Sequence, residues 1–147
     1  MAVEILMTNA SDDIDALARL REEMTRPPYH AILRPQAVRV DPKAGIVVVS
    51  LAYRPEFRRS PDDAAYHGGV ISALIDIAAH AAVAVSIGRM APTIDLRIDY
   101  LRPADASDLT ATARLVRAGR SIARADVEIA DAEDNLIAIG RGSFSTL

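Results

Sequence analysis

Three polar side chains interrupt the most apolar stretch of the chain, and they are spaced by four: Ser72, Asp76 and His80. Every other position from 70 to 87, Ser86 excepted, is apolar or alanine. Residues four apart share one face of an α-helix, so the three form a polar stripe on an otherwise apolar cylinder. A carboxylate among apolar neighbours is costly to keep unless it has partners or a task. Asp76 is therefore the first candidate for general-base or nucleophilic chemistry. His80, one turn on, could orient the carboxylate, hold water or carry a proton. The other reading is a plain i to i+4 contact between Asp76 and His80 with no chemistry attached.

The start of the same helix carries a second signal, His67-Gly68-Gly69. Two glycines in a first turn leave backbone N–H groups unobstructed, and the helix dipole adds partial positive charge there. A carbonyl oxygen set against Gly68 N–H would be polarised, and the charge that develops on it during acyl transfer would be stabilised. The glycines could equally serve a tight chain reversal. Eight residues separate Gly68 from Asp76, about 12 Å along one helix. That is too far for both to act on one carbon atom. If both are catalytic, Gly68 must come from one subunit and Asp76 from another, which predicts a two-fold dimer with two equivalent sites. Alanines at 73, 78, 79, 81, 82 and 84 would let such helices approach closely.

The elements that position these groups follow from the patterning. Ser11-Asp12-Asp13 ahead of Ile14, Leu17, Leu20 and Met24 reads as a capped amphipathic helix, ended by Pro27-Pro28. Alternation over 37–53 around Asp41-Pro42-Lys43-Ala44-Gly45 reads as a hairpin. A polar, arginine- and proline-bearing loop is expected over 54–66, then the long helix to about residue 87 with Gly88 as its C-terminal cap. Strands are expected at 93–101, 109–116, 121–130 and 136–144. The expected fold class is α+β: an antiparallel sheet of five to six strands around one long helix, with an extra N-terminal helix over 1–36 in a single domain of residues 1–147. A lone apolar helix amid strands must be wrapped by them.

Composition narrows the function. The chain has 147 residues, half of them apolar, and a net charge of only −3. Its arginines are scattered without interleaved aromatics, which argues against nucleic acid. There is no cysteine, which removes disulfides, thiolate metal sites and a thiol nucleophile together. His30, His67 and His80 are too far apart for a sequence-local metal motif, and no metal is expected. His30 is expected at the surface or on a lid. The acidic start lacks a secretion signal, so a cytoplasmic location is expected. A membrane span over 70–87 is disfavoured, because a central charge costs about 2.5–3.5 kcal/mol even on a lenient insertion scale.

His67-Gly68-Gly69 with Asp76 nine positions after the histidine resembles the phenylacetate-degradation-type (PaaI-like) thioesterases of the hotdog superfamily. Thr93-Ile94-Asp95-Leu96, Asp99-Tyr100-Leu101-Arg102-Pro103 and Arg117-Ala118-Gly119-Arg120 extend the likeness to the C-terminal end. The resemblance implies a sheet curled around one helix, homodimers with a continuous sheet and often dimers of dimers. It implies hydrolysis of an acyl-CoA thioester, with CoA as part of the substrate and no cofactor. By position it implies that Asp76 is the general base or nucleophile, Gly68 the carbonyl-polarising N–H, His67 beside it a shaper of the site, and Gly69 a substrate-binding residue. Thr93 falls where relatives place a hydroxyl near the attacking water, and Arg102 and Arg120 fall in segments that meet the CoA nucleotide. Arg58 and Arg59 are candidates for the CoA phosphates, or simply solvated.

The chain departs from the family pattern at two places. Pro61 stands where relatives carry a side-chain amide that holds substrate or water, leaving Ser60, Asp62 or Asp63 to substitute. His80 stands where some relatives have a small hydroxyl residue. Two rival functions follow: a non-catalytic acyl-CoA binding protein of the same fold, which Pro61 favours, and a hotdog dehydratase or hydratase, which the His67-Gly68-Gly69 segment fits poorly.

Overall fold

The computed structural model describes residues 10–147. The chain's start, on which the expectation about secretion rests, lies outside the described residues, as does the capping side chain expected of Ser11. Helix α1 (Ala10–Thr25) runs into a one-turn helix α2 (His30–Leu33), which no sequence pattern announces. Strands β1 (Gln36–Asp41) and β2 (Ile46–Leu51) form the expected hairpin.

The segment expected as a polar loop is structured. A 3-10 turn (Pro55–Phe57) leads into a small hairpin of β3 (Arg58–Ser60) and β4 (Asp63–Tyr66). Aromatic packing overrides its polar composition here. Tyr66 meets Tyr53 edge-on at 5.3 Å and stacks on Phe57 at 6.2 Å, and both Tyr66 and Phe57 are buried.

Helix α3 (Gly68–Ile87) follows and ends as expected, with Gly88 in the left-handed conformation (φ 75°) and its N–H on the carbonyl of Ala84. Strands β5 (Thr93–Tyr100), β6 (Leu109–Ala118), β7 (Ile122–Ala130) and β8 (Leu136–Ser145) complete the order. One antiparallel six-stranded sheet results, with strand order β1-β2-β6-β7-β8-β5.

By length and composition α3 could cross a bilayer, but eleven of its residues are buried inside the protein. The sheet curls around it because its apolar sides extend past one face. Inward positions of β6 and β7 carry Ala111, Ala113, Ala123 and Ala125, all fully buried, and these small side chains let the alanine-rich helix settle close. Gly140 on β8 sets the same distance at the other flank. A Cβ built there would stand 2.6 Å from Ile75 Cγ2 and 3.2 Å from the Arg97 carbonyl. Gly140→Ala should therefore push α3 off the sheet beside Asp76 and cost about 1–3 kcal/mol by overpacking, read as a lowered unfolding midpoint in denaturant.

Among the described residues strand β5 is an edge of the sheet, and it bonds to α3 at both of its ends. Thr93 pairs with Phe144 but Asp95 with Ser143, which leaves Ile94 as an extra residue in a β-bulge. Leu96 and Ile98 pack inward against the core. A regular strand would point Thr93, three residues before Leu96, to the outer face. The bulge turns it toward α3 instead.

Candidate active site

At the tip of α3 the chain is fixed from three directions. Tyr66 N–H donates to the Ala104 carbonyl (2.9 Å) and His67 N–H to that of Phe57 (2.7 Å). Tyr66 donates its own hydroxyl to the Ser107 carbonyl at 2.8 Å. Burial and the nearby Asp108 carboxylate push that phenol well above its usual range. His67 is the N-cap, and its Nδ1 accepts from Gly69 N–H at 2.8 Å. A Cβ on residue 69 would stand 2.9 Å from that nitrogen, so glycine at 69 is what admits the imidazole cap.

Gly68 is placed differently. Its carbonyl accepts from the hydroxyls of Tyr100 (2.8 Å) and Ser72 (3.0 Å). Among the described residues none accepts from its N–H, and the residue is half-buried. A Cβ there would make only ordinary contact, 3.4 Å from the Tyr100 ring. A cavity of about 390 Å³ opens beside it, lined by Gly68, Ile71, Tyr100, Arg59 and Arg102 among others. Arg59 is paired with Asp63 at 2.5 Å. Arg58 turns back to the carbonyls of Pro55 and Pro61 instead. Pro61 lies between β3 and β4, where it offers a carbonyl and no amide.

Two turns along the helix, half-buried Asp76 accepts from the Thr93 hydroxyl at 2.9 Å on Oδ1. Asp76 and His80 share no hydrogen bond. His80 Nε2 accepts from Ala91 N–H at 3.2 Å, and its Nδ1 faces Glu23 Oε2 at 3.7 Å. Burial holds the His80 imidazole below its usual range, opposed by the charges of Glu23 and Asp76 and reinforced by His30. The stripe seen in the sequence thus separates into three contacts. Ser72 serves the Gly68 end, Asp76 bonds to β5, and His80 bonds to the turn before it. His30, expected at the surface, is buried, with Nδ1 3.3 Å from the Met24 carbonyl. The α1–α2 corner folds over it.

Gly68 with Arg59 and Arg102 therefore forms one cluster, and Asp76 with Thr93 another. Arg120 lies in the exposed turn between β6 and β7, outside both. Among the described residues no group of histidines and carboxylates is arranged to hold a metal ion. Sequence reasoning missed Tyr100 as a site residue. Its signal was the inward alternation Leu96, Ile98, Tyr100. Glu23 had no local signal, since only the docking of α1 brings it to His80.

A six-stranded antiparallel sheet curled around one long helix, with an acidic residue at mid-helix and glycines at its tip, is the hotdog arrangement. Residues 65–138 match the Thioesterase superfamily, and the chain belongs to that family. It is 37% identical over 94 residues to the medium/long-chain acyl-CoA thioesterase YigI of Escherichia coli strain K12, an alignment covering 53% of this chain and 60% of that one. The chain thus spans about six-tenths of that curated relative's length. Among solved structures, a crystallised thioesterase-superfamily protein superposes with a TM-score of 0.85 at 29% identity, covering 90% of this chain and 99% of the other. The Escherichia coli PaaI protein from the phenylacetic acid degradation operon shares the fold with a TM-score of 0.80 at 24% identity, over 92% and 95% of the two chains.

Proposed function

We propose that the protein hydrolyses acyl-CoA thioesters at sites shared between two subunits. The observation that carries this reading is the separation of the two half-sites at opposite ends of the edge strand. Thr93, bonded to Asp76, begins β5, and Tyr100, bonded to Gly68, ends it. Antiparallel pairing of β5 with the partner's β5 brings the Thr93 end of one strand to the Tyr100 end of the other. Asp76 then faces the partner's Gly68. The outward residues Asp95, Arg97 and Asp99 suit such pairing, because a two-fold axis at Leu96 or at Ile98 sets aspartate opposite arginine on both sides. Pairing also removes an exposed edge that proteins otherwise protect.

In this dimer the thioester carbonyl oxygen points at Gly68 N–H of one subunit, which stabilises the oxyanion. Asp76 of the other accepts a proton from a water whose oxygen adds to the carbonyl carbon, or its own oxygen adds there to give an acyl-aspartyl anhydride that water then cleaves to the free acid. The C–S bond breaks and CoA leaves as a thiolate. Thr93 holds Oδ1 and so leaves Oδ2 to face the reacting atoms. Arg59 and Arg102, in the cavity at Gly68, suit the CoA phosphates. Arg58 and Arg120 are secondary candidates for the nucleotide, and His67 with Gly69 shapes the tip.

The acyl group is read from a panel of acyl-CoAs of graded chain length and aryl character, with release of free thiol followed optically. Turnover on at least one member is expected. Calorimetric binding of CoA esters with no thiol release across the panel would instead establish the binding-protein reading that Pro61 favours.

A further inference from the structure

Asp76 and His80 are one helical turn apart, about 6 Å along α3. Their partners Thr93 and Ala91 are two residues apart where the chain enters β5, a span of at most about 7 Å. The near match lets helix and chain lie side by side with two parallel bonds, Thr93 Oγ1 to Asp76 Oδ1 and Ala91 N–H to His80 Nε2. Ala91 is fully buried, and the carbonyl of the next residue, Pro92, accepts from Ser145 N–H at 2.8 Å. The turn that feeds Thr93 into the site is therefore pegged to α3 through His80.

A backbone N–H can only donate, so Nε2 of His80 must carry a lone pair and the ring proton must sit on Nδ1. Nδ1 faces the Glu23 carboxylate of α1, and both side chains are only 19% exposed. At 3.7 Å the carboxylate acts on Nδ1 through its charge rather than a hydrogen bond, and negative charge beside Nδ1 favours a proton there, the one tautomer that can hold Ala91. The other ionisable groups around the ring are Asp76 on α3 and His30 on α2. The Asp76 charge acts on the ring without bonding to it, and the His30 ring bonds to the Met24 carbonyl.

We propose that Glu23 is a positioning residue for Asp76, fixing the His80 tautomer that anchors Ala91 and thereby the Thr93 hydroxyl on the carboxylate. The N-terminal helix is then a working part of the site rather than an appendage. This inference rests on the reading of Asp76 as the reacting carboxylate.

The test joins imidazole nitrogen NMR of the full-length protein with kinetics. The protein has three histidines, so His80→Gln assigns the His80 signals directly. Wild type should show His80 as a single Nδ1–H tautomer. Glu23→Ala should lose that signature and lower kcat about tenfold with KM within about twofold, since a misplaced reacting group slows chemistry more than binding. Glu23→Gln, whose amide oxygen can turn its partial negative charge toward Nδ1, should restore much of both, and Glu22→Ala on the exposed side of α1 should change neither. An Nε2–H tautomer in wild type would overturn the proposal, even if Glu23→Ala failed to fold. So would Glu23→Ala with unchanged tautomer or unchanged kcat. Should Asp76→Asn prove fully active, the reading of Asp76 as the reacting carboxylate would fall by itself, and the tautomer would still report on the Glu23–His80–Ala91 link.

Discussion

Asp76→Asn is expected to lower kcat/KM for a good acyl-CoA substrate by about 10²–10⁴, the usual worth of a positioned general base. Asparagine matches aspartate in size, and its amide oxygen can still accept from the Thr93 hydroxyl that now reaches Oδ1. The bond between α3 and β5 should survive, and the unfolding midpoint should stay close to that of wild type. What is lost is the carboxylate's capacity to take a proton or to attack. Steady-state thiol release alongside thermal unfolding separates the two effects. Full activity in a normally folded variant would remove Asp76 from the chemistry.

The second large effect is expected at Gly68, where two substitutions isolate one hydrogen-bond donor. Residue 68 is the first helical position, after the N-cap His67. Proline is well tolerated there, because its missing N–H has no intrahelical acceptor to lose. The preceding residue already has φ −63° and ψ 132°, the extended conformation that a following proline requires. Gly68→Pro should thus keep the helix while replacing the N–H by the ring Cδ, which can donate no hydrogen bond. A loss of about 2.7–4 kcal/mol in transition-state stabilisation, roughly 10²–10³ in kcat, is expected. Gly68→Ala keeps the N–H, and its methyl would make ordinary contact with the Tyr100 ring at 3.4 Å. It should stay within a few-fold of wild type. Equal losses in the two variants would mean that crowding, not the donor, matters at this position.

The long helix, its glycine cap and the four following strands were legible because their signals are local: apolar composition, Gly88, and alternation between turns. The stripe Ser72, Asp76, His80 was legible as a stripe, since helical spacing alone sets it. Its division was not. Which partner each side chain meets depends on contacts from β5, from the turn at Ala91 and from α1, all distant in sequence. The bulge at Ile94 that turns Thr93 inward has no glycine to announce it. The hairpin over Arg58–Tyr66 was hidden by polar residues, because its stability comes from Tyr53, Phe57 and Tyr66 packing together. His30 was misjudged for the same reason. Nothing local shows that the α1–α2 corner closes over it.

The shared site is tested most directly by mixing two inactive variants. Asp76→Asn and Gly68→Pro, co-expressed with different tags, should assemble as mixed dimers. In each, one site draws its aspartate from one chain and its glycine tip from the other, and is intact; the second site is doubly impaired. Purified mixed dimers should recover about half of the wild-type kcat, and a random mixture about a quarter. Activity no higher than that of the two parents, in dimers shown to contain both tags, would place Gly68 and Asp76 in the same subunit's chemistry and contradict the account.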